Sequence, residues 1–225
     1  MRVTELFDLT KSIAGVFLGR FIYPEGTLSE ISDFIVELGS KLDKNRYIET
    51  EKNIWIAKTA KVANNATIMP PCIIDEDAEI RQCAFIRGSV IVGKACVVGN
   101  SSEIKNSILF DRVQVPHFNY VGDSILGYAS HLGAGAVTSN VKSDKSNVSI
   151  VRDGVKTITD RKKLGSMIGD HVEVGCGTVL CPGSIIGRNT TVYPNSVVRG
   201  SVPENSIYKS EGNVVIKREF YKEGV

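Results

Sequence analysis

The sequence predicts an all-β protein: a triangular prism of very short parallel strands, with a small helical cap at its N-terminal end. Three observations predict it. Aliphatic residues recur every six positions from Ile56 onward, a small residue follows most of them four positions later, and the first fifty residues follow a different, helical pattern. The six-residue series runs Ile56, Val62, Ile68, Ile74, Ile80, Ile86, Val92, Val98, Ile104, Phe110. It breaks near Pro116, resumes at Leu126 and Leu132, and returns as Ile168, Val174, Leu180, Ile186, Val192 and Val198. The small partners include Ala60, Ala66, Cys72, Ala78, Ala84, Cys96, Ser102, Thr178, Ser184, Thr190 and Ser196.

A period of six suits neither common element. An amphipathic helix needs apolar residues three and four apart, and a half-buried strand needs strict alternation. Six suits a strand of two or three residues followed by a bend. If one hexad makes one wall of a prism, three complete a turn, and stacked turns place aliphatics above one another in a continuous ladder. Small residues are then needed where the wall bends, so Cys72 and Cys96 read as small interior apolar groups.

Two segments lie outside the period. In residues 1–53, "TLSEISDFIVEL" has Thr27 and Glu30 at capping-box spacing, then Ile31, Phe34, Ile35 and Leu38 on one helical face, which predicts a helical cap over the first coil. The prism spans 54–205, a tail covers 206–225, and a polar, charged excursion, 141–166, interrupts the hexads between two good coils. A long excursion from a regular scaffold usually serves function.

Bulk composition narrows the function classes. The hydrophobic fraction of 42% is that of a chain that buries a core. Lys and Arg number 27 against 25 Asp and Glu, without a like-charge block, so neither nucleic acid nor a membrane surface is the expected partner. No apolar run reaches the length of a membrane span, and the N-terminal stretch, interrupted by charge, does not read as a secretory signal. Five cysteines without a CxxC pair argue against both a disulfide framework and a zinc cluster, and fit a reducing cytoplasm.

The chemistry-bearing stretch is "VPHFNYVGDSILGYASHLGAGAVTSN", residues 115–140. It places two of the three histidines, a tyrosine and an asparagine within a run of spaced aliphatics. Arg87 and Lys105 stand eighteen residues apart, one turn of the prism, so their side chains should stack on one face and could grip a single phosphate, Arg as a planar fork and Lys as a point charge.

This stretch resembles the acetyltransferase half of the bifunctional glucosamine-1-phosphate N-acetyltransferase and uridylyltransferase family. The match is ungapped over His117, Tyr120, Gly122, Asp123, Gly127, Gly133, Ala134, Gly135, Thr138 and Asn140. The resemblance covers about residues 55–205 and implies a left-handed parallel β-helix, whose handedness the period cannot supply. It implies acetyl-CoA as acetyl donor with no metal, an amino-sugar 1-phosphate as acceptor, and a homotrimer with sites between neighbouring prisms. Arg87 and Lys105 fall where the family holds the sugar phosphate. His117 falls on the general base that takes the proton of the ammonium form of the amine. Tyr120 would hold phosphate or sugar, and Asn140 the acceptor or the acyl group. The backbone at Gly133, Ala134 and Gly135 would admit the coenzyme and offer an N–H to the thioester oxygen.

The departures are specific. His131 stands where the family has an asparagine touching the sugar, Cys176 replaces a serine near the thioester, Pro194 an alanine on the coenzyme path, and Glu211 a coenzyme-binding arginine. The close of the excursion, "DRKKLGSMIGDHVEVG", resembles the archaeal sugar-1-phosphate nucleotidylyltransferases that carry a β-helical acetyltransferase domain. There, loop lysines join the site, with Lys142 and Lys145 the nearest candidates, while Arg161, Lys162 and Lys163 could bind coenzyme phosphates or form a solvated turn. A uridylyltransferase activity is not expected, because the glycine-rich L-x-x-G-x-G-T-R segment is missing. Two other readings stay open: a non-catalytic sensor of sugar phosphates or nucleotide sugars, and a metal-dependent hydratase, for which His117, His131 and His171 have the wrong spacing.

Overall fold

The computed structural model describes residues 1–152 and 154–217. Its parallel strands stack into three sheets, as the repeat predicts, and these are the walls of a left-handed β-helix, the hand that the family resemblance implies. The first face climbs from Ile54–Ala57 through Cys72–Ile74, Val90–Val92, Ser107–Leu109, Ile125–Leu126, Met167–Ile168 and Ile185–Ile186 to Ser201–Val202. The second runs from Lys61–Val62 to Ser206–Ser210 and includes Gln114–His117, His131–Leu132 and Glu173–Val174. The third runs from Thr67–Ile68 to Val197–Val198 and includes Glu103–Lys105, Tyr120–Gly122 and Val137–Thr138. Within each coil, backbone groups pair with the coils before and after, which satisfies donors and acceptors turn by turn.

The ladder departs from strict eighteen-residue turns. Ile74 pairs with Val92, but Val92 pairs with Leu109 and Ile108 with Ile125, seventeen residues on. Leu109 therefore takes the interior place expected of Phe110, which instead stacks its ring on Phe7 with centroids 5.0 Å apart. The lost residue comes from one corner, between third and first faces, after Ile104 and again after Val121. There Asn106 (φ 45°) and Asp123 (φ 50°) adopt left-handed backbone, which short polar side chains tolerate better than most. The excursion leaves the prism at this same corner.

The N-terminal region does not cap the first coil. Its helices α1 (Val3–Leu6), α2 (Gly15–Leu18) and α3 (Ile31–Gly39) lie along the first face, α3 against Cys72–Ile74 and Val90–Val92. The cause is legible in that face. Its strands carry apolar pairs, Ile73-Ile74, Ile91-Val92, Ile108-Leu109, Ile125-Leu126, Met167-Ile168 and Ile185-Ile186, all buried. Because successive side chains point to opposite sides of a strand, one member fills the prism and the other needs an external cover. Burying each outward Ile is worth about 2 kcal/mol. Ile31 and Ile35 are buried, with Phe34 and Leu38 packed on the core, as the helical face predicts. The capping box does not form: Thr27 sits in a 3-10 turn with its hydroxyl donating to the Pro24 carbonyl (2.7 Å), and the N-cap Glu30 makes no side-chain cap.

Two expected boundaries also shift. Residues 47–51 are a strand, antiparallel to Ile54–Ala57, and the start of the tail is a hairpin whose Ser206–Ser210 continues the second face. An antiparallel strand thus closes the first face at its N-terminal end and the second face at its C-terminal end, where a bare edge would invite pairing with other chains. Residues 218–225 of the tail lie outside the described residues. No helix among the described residues is long and apolar enough to cross a membrane.

Candidate active site

His117 ends a strand of the second face, opposite Asn100 of the coil before. Beyond it the ladder continues by single hydrogen bonds: Gly135 N–H donates to His117 O (3.0 Å), Gly177 N–H to Ala134 O (2.9 Å), and Asn195 N–H to Cys176 O (2.8 Å). His117, Ala134, Cys176 and Pro194 therefore form one row along the corner between second and third faces, spaced by the roughly 4.8 Å of adjacent strands. The expected base and three of the four expected coenzyme contacts share a line. Gly135 stands one step beyond it and spends its N–H on His117, whereas the N–H groups of Ala134 and Cys176 have no partner among the described residues. His117 is exposed and its ring likewise has no partner there.

Asn119, which sequence reasoning passed over, builds this turn. It is 3% exposed; its Oδ1 accepts from the His117 N–H (3.0 Å) and its Nδ2 donates to Gly133 O (2.9 Å) and Ala136 O (3.0 Å). One buried amide thus ties the His117 turn to the Ala134 turn one coil further on.

Around the corner, the third face carries Arg87 and Lys105 on adjacent strands, the Arg87 N–H bonded to the Ile104 carbonyl at 2.8 Å. Both cations already have carboxylate partners. Arg87 Nη1 lies 2.6 Å from Glu103 Oε1, and its guanidinium 5.9 Å from the Phe85 ring centroid. Lys105 Nζ lies 3.3 Å from Asp123 Oδ2. Asp123 also accepts from Asn106 Nδ2 (2.8 Å) and Asn140 Nδ2 (2.5 Å), and the latter nitrogen reaches the Tyr120 hydroxyl at 3.2 Å. Burial, then the neighbouring Asp123 and Glu103 charges, raise the Tyr120 pKa, so Tyr120 stays a neutral phenol. Gly122 makes the meeting possible: a Cβ there would stand 2.5 Å from the Tyr120 hydroxyl and 2.9 Å from Asn140 Nδ2.

The remaining candidates separate from this group. His131 lies on the second face with Nδ1 2.8 Å from Glu173 Oε2. Lys142 turns to Ser146 Oγ (2.5 Å) and Asp144 (3.4 Å), and Arg161 donates to Ser29 Oγ (3.1 Å) in the N-terminal region. His171 packs edge-on against Tyr128 at the corner between first and second faces. The three histidines thus occupy three different places on the prism.

The class of protein is a hexapeptide-repeat β-helix, here with two paired cations, Arg87 and Lys105, on one wall and an exposed imidazole at the next corner. Residues 68–216 match the family model described as GMPPB C-terminal domain, and the chain belongs to that family. It is 32% identical over 186 residues to the Bifunctional protein GlmU of Methanococcus vannielii, spanning 74% of this chain and 45% of that protein. It is 30% identical over 186 residues to the Bifunctional sugar-1-phosphate nucleotidylyltransferase/acetyltransferase of Sulfurisphaera tokodaii, spanning 75% of this chain and 46% of that protein. The chain thus spans about half the length of the curated relatives it matches, and the resemblance stated from residues 115–140 is borne out. Among solved structures, PerB from Caulobacter crescentus in complex with CoA and GDP-perosamine is 18% identical, covering 73% of this chain and 56% of that one with a TM-score of 0.35, a likeness too slight to carry an inference.

Proposed function

We propose that this chain is an acetyl-CoA-dependent N-acetyltransferase whose acceptor is an amino-sugar 1-phosphate. The observation that carries the reading is the row of His117 and Ala134, a free imidazole one strand from an uncommitted N–H, beside the wall of Arg87, Lys105, Tyr120 and Asn140. The kinship to bifunctional sugar-1-phosphate enzymes supports the choice of acceptor.

In this mechanism Arg87 and Lys105 hold the sugar phosphate, exchanging Glu103 and Asp123 for its oxygens or sharing them. His117 removes a proton from the ammonium. The freed amine attacks the thioester carbonyl; the new oxyanion meets the Ala134 N–H. Collapse breaks the carbon–sulfur bond, the nitrogen sheds its second proton to the departing thiolate, and the coenzyme leaves as thiol with the amide as product. Cys176 and Pro194, further along the row, line the coenzyme path, and His131 on the second face is the residue for the acceptor sugar. A homotrimer belongs to this reading, as does a reducing cytoplasm, with which the free state of all five cysteines agrees. Half-exposed Val197, Tyr193 (42% exposed) and Phe118 (62%) beside the site offer an apolar margin on which a second prism could pack; light scattering on the purified protein checks it. The test of the activity is acetyl transfer from acetyl-CoA to glucosamine-1-phosphate and galactosamine-1-phosphate, with His117→Ala as the control. Equal rates in the two proteins would remove His117 from the mechanism.

A second reading, a sensor that binds a sugar phosphate without catalysis, is favoured by Glu103, which neutralises Arg87, and by Glu211 at an expected coenzyme-binding position. Calorimetry separates the two, since a sensor of this kind binds sugar phosphate and leaves acetyl-CoA unbound.

A further inference from the structure

At the shortened corner between third and first faces, several side chains of the candidate site converge on one carboxylate. Asp123 is 4% exposed, and its two oxygens receive Asn106 Nδ2 at 2.8 Å, Asn140 Nδ2 at 2.5 Å, and the Lys105 ammonium at 3.3 and 3.4 Å. Its backbone is held as firmly: its N–H donates to Lys105 O (3.0 Å), and its carbonyl accepts from Gly165 N–H (2.9 Å) where the excursion returns. A buried carboxylate is tolerated only when paired and hydrogen-bonded, and this one is both.

We propose that Asp123 is a positioning residue that determines which end of the Asn140 amide faces the reactants. A carboxylate accepts hydrogen bonds and donates none. The atom of Asn140 that lies 2.5 Å from it must therefore be nitrogen, which decides the orientation of an amide that shape alone leaves ambiguous. The same nitrogen donates to the Tyr120 hydroxyl at 3.2 Å, so both of its protons are committed. Oδ1 of Asn140 has no partner among the described residues and turns away from Asp123. An outward oxygen can receive an N–H of the attacking amine; it cannot stabilise the oxyanion, which needs a donor. Asn140 thus orients the nucleophile, and charge on the thioester oxygen is left to backbone N–H groups such as that of Ala134. The assignment rests on the acetyltransferase reading and says which partner Asn140 takes.

Asp123→Asn is the informative variant. It keeps the shape and the tolerance for φ near 50°, removes the charge, and can point a donor at the donor end of Asn140. Two readouts are taken: steady-state kinetics with glucosamine-1-phosphate, and the side-chain amide resonances of Asn140 in protein labelled with 15N-asparagine. The expected result is a fall in kcat of about 10- to 100-fold, the range set by losing one hydrogen bond to a charged group, with the KM for acetyl-CoA unchanged. In the wild type, an Asn140 amide proton lies downfield of a free amide, and it moves back in the variant. A kcat within twofold of wild type, or an Asn140 amide at the free position in wild type, overturns the proposal. Should the variant fail to fold, the wild-type spectrum alone decides: a downfield Asn140 amide proton supports the proposal, and one at the free-amide position overturns it. If the wild type acetylates no amino-sugar phosphate, the functional reading fails by itself, and the resonances still decide the role of Asp123.

Discussion

The Leu164 N–H donates to the carbonyl of Asn140 at 2.9 Å, so the polar excursion leaves and re-enters the prism at one point. The coils on either side consequently keep register, Thr138 pairing with Leu180 and Leu126 with Ile168 as if nothing stood between them. The excursion itself folds as a hairpin, Ser149–Arg152 against Val155–Ile158, and fastens to the N-terminal region. Arg152 pairs with Glu25 and lies over the Tyr23 ring, 3.9 Å from its centroid. A single connected segment thus joins Asn140 of the candidate site to the cover of the first face.

That clasp makes the first prediction. Arg152→Ala removes one partner of an ion pair whose side chains are 16% and 13% exposed, leaving Glu25 partly buried without it. The expected loss is about 1–3 kcal/mol, read by urea denaturation, with hydrogen exchange accelerated in residues 149–158 while the prism strands stay protected. Unchanged exchange in the hairpin would show that Arg152 does not hold it.

His117 is exposed and its ring bears no packing role. His117→Ala should lower kcat about 10²- to 10⁴-fold, the contribution of a positioned general base, and leave the thermal midpoint within a degree or two. A matching loss of stability would mean the ring serves the fold.

Arg87 and Glu103 form a pair with side-chain exposures of 42% and 32%. Such pairs contribute about 0–1 kcal/mol, so Arg87→Ala should scarcely alter stability while raising the KM for the sugar phosphate at least about tenfold, the worth of one charge-assisted contact. The same substitution should leave the KM for acetyl-CoA alone, because Arg87 stands on the wall away from the His117 row. A shift in both constants would place the coenzyme on the third face.

A cleft of about 380 Å³ between the N-terminal region and the prism contains Arg46, Lys94 and Glu76. Hydrogen bonds from Arg46 and then Lys94 lower the Glu76 pKa from 4.5 to about 2. A carboxyl depressed in the folded state adds stability that is present above pH 4.5 and lost as pH falls toward 2. The difference in thermal midpoint between wild type and Glu76→Gln should therefore be full at pH 6 and shrink steadily below pH 4.5. Solvent screening keeps the difference small; its disappearance with rising pH would contradict the assignment.

Gly39 ends α3 against the single tryptophan, and a Cβ there would stand 2.3 Å from the Trp55 ring, itself 6% exposed. Gly39→Ala should cost about 1–3 kcal/mol, as overpacking does, and shift the tryptophan fluorescence to longer wavelength as the helix is pushed off the first face. An unshifted spectrum would mean that the helix and ring part without exposing it.

Part of this was readable before any coordinates. Ile68, Ile86, Ile104 and Leu180 fall in one interior column as the hexads require, and Arg87 stacks beside Lys105 because one turn there does contain eighteen residues. The apolar doublets such as Ile73-Ile74 and Ile91-Val92 were present too, and they carried the position of the N-terminal helices; the hexad pattern registers only one residue of each pair. Thr27 and Glu30 misled because capping-box spacing is local, whereas the chain there is set by how α3 lies on the first face. Phe110 misled for a related reason: the period counts positions, and two corners, at Asn106 and Asp123, each omit one.

What the sequence by itself determined is the prism, since a repeating aliphatic every six residues has only one economical way to leave water. What the tertiary structure decided is the company each polar side chain keeps. That Asp123 takes the nitrogen of Asn140, that Arg87 is already matched by Glu103, and that His117 shares a row with Ala134 depend on which residues of successive coils stand side by side. Register of that kind follows from where eighteen-residue turns give way to seventeen-residue ones and from the closure of the excursion on Asn140, and side-chain hydrogen bonds of a few ångströms are sensitive to a shift of a single residue.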